Sequence, residues 1–266
     1  MQRFNRTRLI TTADPAYQRH VAEMQLQRAN QRAMRPPSQR DLFGGEAEEL
    51  LRAALAARFP LSERRIVEYE ERRGRTWQRK YRELDAVILD APSRVHVFEI
   101  KASRRAGALH RALQQLRDTR EILRLAVRQV SATVLFVDTG TITEEERAAL
   151  AAAPDAPEQL PQTLDEAIAE HPELRRVSTL DALSAFPEAI ELLVVSVDDI
   201  IALAGDRPLS LDWEADELAE EEERALPAEP TPLLFSSGDD DAEAESPFAA
   251  ALRRAQQAER RPRREG

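Results

Sequence analysis

Tyr81-Arg82-Glu83-Leu84-Asp85-Ala86-Val87-Ile88-Leu89-Asp90 and Arg94-Val95-His96-Val97-Phe98-Glu99-Ile100-Lys101-Ala102-Ser103 are two apolar runs separated by Ala91-Pro92-Ser93. Their Val, Ile and Phe content reads as strands buried on both faces. The Ala-Pro-Ser segment reads as a short turn. Successive strand side chains alternate faces, so Glu99 projects with Lys101, and Asp85 with Glu83 and Val87. Pairing the runs as a hairpin brings two carboxylates and one ammonium onto one face. Charges in strands this apolar are costly unless they are paired or hold a metal. Lys101 carries a second signal: of 38 basic residues, only Lys80 and Lys101 are lysine. Where arginine is the default, a lysine marks a need for a compact ammonium whose pKa burial can lower. The competing reading is a buried ion-pair network with no catalysis.

Working outward, Gly44-Gly45 reads as the opening of a helix from Glu46 to Arg58, with Ala47, Leu50, Leu51, Ala54 and Leu55 as its apolar face. Glu46 lies at the edge of that face and Glu49 competes with it one turn on, while Glu48 points more toward water. All three acids also suit a helix N-terminus electrostatically. Ile66 to Arg72 reads as a strand, and Arg73-Gly74-Arg75 as a turn. Gly107 precedes a helix from Ala108 to Leu125, and Ser131 to Asp138 is another buried strand. The order is helix, three strands, helix, strand, and the helical crossover requires at least one parallel pairing. His96 falls on the strand face opposite Glu99 and reads as a structural histidine.

The remainder divides by composition. Residues 1–12 read as a loose arm, and Asp14-Pro15 starts a polar helix that runs to Met34 before Pro36-Pro37. Residues 41–140 hold the core pattern. Residues 141–212 add helices at Glu144–Ala153, Leu164–Glu170 and Asp198–Ala204, and a peripheral strand at Leu192–Val197. Residues 213–266 are rich in Glu, Asp, Pro and Ala, which predicts a disordered acidic tail with a basic end. Residues 1–130 carry 27 basic and 16 acidic groups, net +11; residues 131–252 carry 5 and 30, net −25. The basic half around the motif favours nucleic acid as partner, and the acidic tail offers a docking segment for a protein. There is no Cys, which excludes disulfides and thiolate metal sites and fits a cytoplasmic protein. No apolar stretch is long enough to span a membrane. Four scattered His form no zinc-spaced cluster, so oxygen ligands and Mg²⁺ or Mn²⁺ are the expected metal chemistry.

Asp85 followed by Glu99-Ile100-Lys101 on adjacent strands resembles the PD-(D/E)XK nuclease superfamily, with Leu84 where the motif's Pro would stand. Leu42-Phe43-Gly44-Gly45-Glu46 resembles the helix start of its nuclease-related and Holliday-junction-resolvase-like branches. Ala112-Leu113-Gln114-Gln115-Leu116 resembles a glutamine-bearing helix that follows the lysine strand. The similarity spans about Asp41 to Asp138. It implies an α/β, restriction-endonuclease-like αβββαβ core with a mixed sheet flanked by helices, and Mg²⁺- or Mn²⁺-dependent cleavage of DNA, with a homodimer among the expected assemblies. The implied metal ligands are Asp85, Glu99, the Ile100 carbonyl and Glu46. Lys101 acts on the attacking water or the transition state, and Gln115, or alternatively Gln114, positions the lysine or the water. Arg104, Arg105 and Arg111 are placed to contact phosphates. The alternative is a nuclease-like subunit without turnover that binds DNA or a partner.

Overall fold

The computed structural model describes residues 3–30, 38–90, 93–154 and 156–213. Met34, Pro36-Pro37, the Ala91-Pro92 turn and the expected tail from 214 onward lie outside the described residues. In chain order the elements are β1 (Phe4–Ile10), α1 (Pro15–Asn30), α2 (Gln39–Ala56), β2 (Ile66–Arg73), β3 (Thr76–Glu83), β4 (Ala86–Asp90), β5 (Arg94–Ser103), α3 (Gly107–Leu123), β6 (Gln129–Asp138), α4 (Glu144–Ala152), α5 (Leu164–Ala169), β7 (Leu174–Val177), a 3-10 turn (Leu180–Ala182), β8 (Ile190–Ser196) and α6 (Val197–Ala204).

The protein is α/β, with a mixed five-stranded sheet in the order β4-β5-β6-β8-β7 and an antiparallel sheet in the order β1-β2-β3. β4 and β5 pair antiparallel, while β5–β6, β6–β8 and β8–β7 are parallel. The two apolar faces of β5 explain the layering. Phe98 and Ile100 pack with Phe43, Ala47, Leu51 and Leu55 of α2. Val95 and Val97 face the other way, with Leu109, Leu113 and Leu116 of α3. The small sheet joins that second layer through Phe4, Val67 and Tyr69.

Four expectations change. The run Tyr81–Asp90 is two strands in two sheets, because Leu84-Asp85 turns the chain between them. Leu84 is buried and its N–H donates to the Arg65 carbonyl at 2.9 Å, while Asp85 spends its carboxylate on a neighbouring strand. Within 1–12, residues 3–12 are no loose arm, since Phe4–Ile10 form β1. Phe4 and Ile10 are buried, and Arg3, Arg6 and Arg8 meet Glu71, Glu70 and Glu68 of β2 at 3.0, 3.2 and 2.9 Å. α2 begins at Gln39 rather than at Gly44-Gly45, because Ser38 and Asp41 form a reciprocal capping box. The glycines lie inside the helix, and a Cβ on Gly44 would sit 3.8 Å from that of Ala102 on β5. Last, β8 is not peripheral: β7 takes the edge outside it. Region 141–212 is therefore integral. Leu164, Ala167 and Leu192 fill the α3 layer, and Leu193, Val195 and Ile200 fill the α2 layer.

Candidate active site

β4 is short, and its pairing starts at Ala86 opposite Phe98. Residues Glu99 to Ser103 of β5 therefore run past β4 and leave an edge that β4 does not pair. Asp85, just before β4, fills part of that edge: its Oδ2 accepts a hydrogen bond from the Ile100 N–H at 2.6 Å. Both backbone groups of one strand residue point to the same edge, so the Ile100 carbonyl faces that edge too. The Glu99 and Lys101 side chains share the face of Val95 and Val97.

Burial sets the electrostatics. Glu99 is only 6% exposed, and desolvation followed by the Asp85 charge pushes it up to about 8, against relief from Lys101 and Arg82. Burial likewise pushes Asp85 up to about 6, opposed chiefly by the Ile100 hydrogen bond. Among the described residues neither carboxylate has an ion-pair partner within 4 Å, and Lys101 has none either. The site thus gathers two buried acids that repel each other.

α2 contributes a different acid from those expected. Glu46 is held by Ser210, whose N–H and Oγ–H donate to it at 2.8 and 2.9 Å. Glu49 pairs with Arg207 at 2.8 Å. Glu48 is the acid that raises both Asp85 and Glu99. It pairs with Arg52, whose Nε donates to the Asp85 carbonyl at 2.7 Å. The Glu48–Arg52 spacing of four was legible; which flank of α2 meets the strand corner was not.

Gln115 presents an exposed side chain, and its main-chain carbonyl accepts from Arg82 at 3.0 Å. Gln114 donates to Asp118 at 3.1 Å. Arg82 also donates to Thr119 at 2.8 Å, which fixes it between β3 and α3 beside Glu99. Arg104 is partly buried, whereas Arg105 and Arg111 are exposed around the start of α3. His96 is buried on the opposite face, bonded to Ser131 at 2.9 Å and pushed by burial down to about 3. Among the described residues no three His, Asp or Glu side chains form a ready metal cage, and no helix is long and apolar enough to cross a membrane. No family model, curated protein or solved structure matches the chain.

Proposed function

We propose that this chain is a metal-dependent nuclease with a restriction-endonuclease-like core, hydrolysing phosphodiester bonds of DNA. One observation carries the reading: Asp85 and Glu99 meet, desolvated and unpaired, on an open strand edge beside Lys101. Buried carboxylates are ordinarily paired or metal-bound. The succession of α2, the antiparallel β4–β5 pair, α3 and the parallel β6 supports the fold assignment, while β2 and β3 stand in the separate small sheet.

The donor set fits a hard divalent cation. Mg²⁺ keeps several waters and needs only one or two carboxylates from the protein, so a complete cage is not required. Asp85, Glu99 and the Ile100 carbonyl would hold it, with Glu48 close enough to add negative charge. A bound Mg²⁺ or Mn²⁺ would polarise the phosphate and activate water. Lys101 would stabilise charge developing on the phosphate oxygens or orient the attacking water. Arg52 holds the Asp85 main chain in place, and Arg105 and Arg111 would draw phosphates toward the edge.

Linear, supercoiled, single-stranded and branched DNA incubated with Mg²⁺ or Mn²⁺ provides the test. The wild type should cut at least one of these, and chelation should stop it. Lys101→Ala should lower the rate by roughly 10²–10³-fold, with the unfolding midpoint unchanged. Absence of cutting on every substrate, or equal cutting by both proteins, overturns the reading.

A further inference from the structure

The proposed site leaves the outer face of the β1-β2-β3 sheet unused. Val67 and Tyr69 point from β2 into the core, so Glu68, Glu70 and Arg72 lie on the other face. The register sets Tyr81, Arg79 and Trp77 directly beside them. Trp77 is 41% exposed. Among the described residues no ring or guanidinium stacks on it, and its indole N–H has no acceptor. Trp213 is the contrast: Phe43 meets it edge-on at 5.2 Å, Arg40 lies 4.7 Å over it, and its N–H donates to the Ser210 carbonyl at 3.0 Å.

The charges on this face favour an anion. Glu68 and Glu70 are taken by Arg8 and Arg6 of β1. The Arg79 side chain is 57% exposed, and its ion-pair partner Glu68 is 3.8 Å away. Arg75 is exposed at the hairpin tip. Trp77, Arg79 and Tyr81 alternate along one strand at about 7 Å spacing. Tyr81 already touches Tyr17 and His20 of α1, at centroid distances of 5.6 and 4.9 Å, so α1 closes one end of the row and the Trp77 end stays open. An exposed indole beside exposed cations is the combination that stacks an unpaired base and holds its flanking phosphates. The bases of a duplex are already stacked on each other and offer no such partner.

We infer that this face binds an unpaired nucleic-acid strand, with Trp77 stacking on a base and Arg79 and Arg75 on phosphates. Trp77 is at most about 26 Å from Asp85 along β3. The inference rests on the nucleic-acid reading above and narrows it to substrates that carry a single-stranded stretch.

The test is binding by the full chain in EDTA at low salt, to a labelled oligothymidine and to a blunt duplex of the same length. Trp77→Ala should weaken oligothymidine binding about tenfold and change duplex binding less than about twofold. Trp77→Phe should restore most of the loss, since the ring still stacks. Equal oligothymidine affinity in wild type and Trp77→Ala, or parallel losses on both ligands, overturns the inference. If the wild type cuts DNA while Trp77→Ala binds oligothymidine normally, the inference fails and the nuclease reading stands. Trp77-dependent binding without any cutting gives the reverse, and no binding to either ligand removes the inference and leaves the nuclease reading to its cleavage test.

Discussion

Glu99 and Asp85 are held where their charged forms are least welcome, and this has a sign in pH. Glu99 rises from 4.5 to about 8 and Asp85 from 3.8 to about 6, both first through burial. The folded state keeps these protons where the unfolded chain has released them. The stability they contribute is complete below the unfolded values and is lost as pH climbs through the folded ones. The unfolding temperature of the metal-free protein should therefore carry a falling component between about pH 4 and 8. Glu99→Gln should remove the upper part of that fall, between 6 and 8. Mg²⁺ should raise the midpoint of the wild type at pH 8 and do much less for the glutamine variant; thermal melts across pH read both. The meeting of Asp85 with Glu99 and Lys101 was legible because strand alternation and a short turn fix it. Glu48 and Arg82 were not, since each reaches the pair through tertiary packing: one from a helix flank, the other from a different sheet.

The elements show where local signals compete. Gly44-Gly45 looked like a helix start because glycine is poor in helix interiors. The stronger signal was Ser38 with Asp41, a capping box two turns upstream. Nothing lies within 4 Å of a Cβ built on Gly45, so Gly45→Ala should stabilise the protein by about 0.5–1 kcal/mol, and Ser38→Ala should cost about 1 kcal/mol. Urea unfolding measures both, and a helix starting at Glu46 would show neither. The boundaries of β5 and the existence of α3 and β6 followed from periodicity alone. The break at Leu84-Asp85 did not, because leucine and a single acid leave the apolar run looking continuous. β1 was missed although Arg3, Arg6 and Arg8 match Glu71, Glu70 and Glu68 across the ladder. Complementary charge of that kind shows only once two segments are known to be neighbours.

Among the described residues of the whole molecule, the basic and acidic stretches are interleaved. Arg58–Asp181, Arg117–Glu173 and Arg207–Glu49 tie one to the other, so a division that is sharp along the sequence is blurred in the fold. The acidic region also supplies two of the five strands of the mixed sheet, β8 and β7. Glu191 of β8 is fully buried; it accepts from the Ser184 N–H at 3.0 Å and pairs with Arg175 of β7. Arg175→Ala leaves that carboxylate without its cation and should cost about 3 kcal/mol, read from denaturant midpoints. A region 141–212 merely packed on an independent core would lose far less. The apolar run Leu192–Val197 identified β8 there, but nothing identified β7, whose Leu174-Arg175-Arg176-Val177 is too short and too polar to announce itself.

The overhang of β5 beyond β4 has a consequence outside the proposed chemistry. An uncovered strand edge is a template on which another chain can add a strand and begin to aggregate. Here the unpaired stretch carries Glu99 and Lys101, and Asp85 occupies the Ile100 N–H that an incoming strand would need. The groups proposed for chemistry therefore also keep the edge from sticking to its own kind. Replacing all of them with alanine, the usual route to an inactive control, removes a guard along with the reagents.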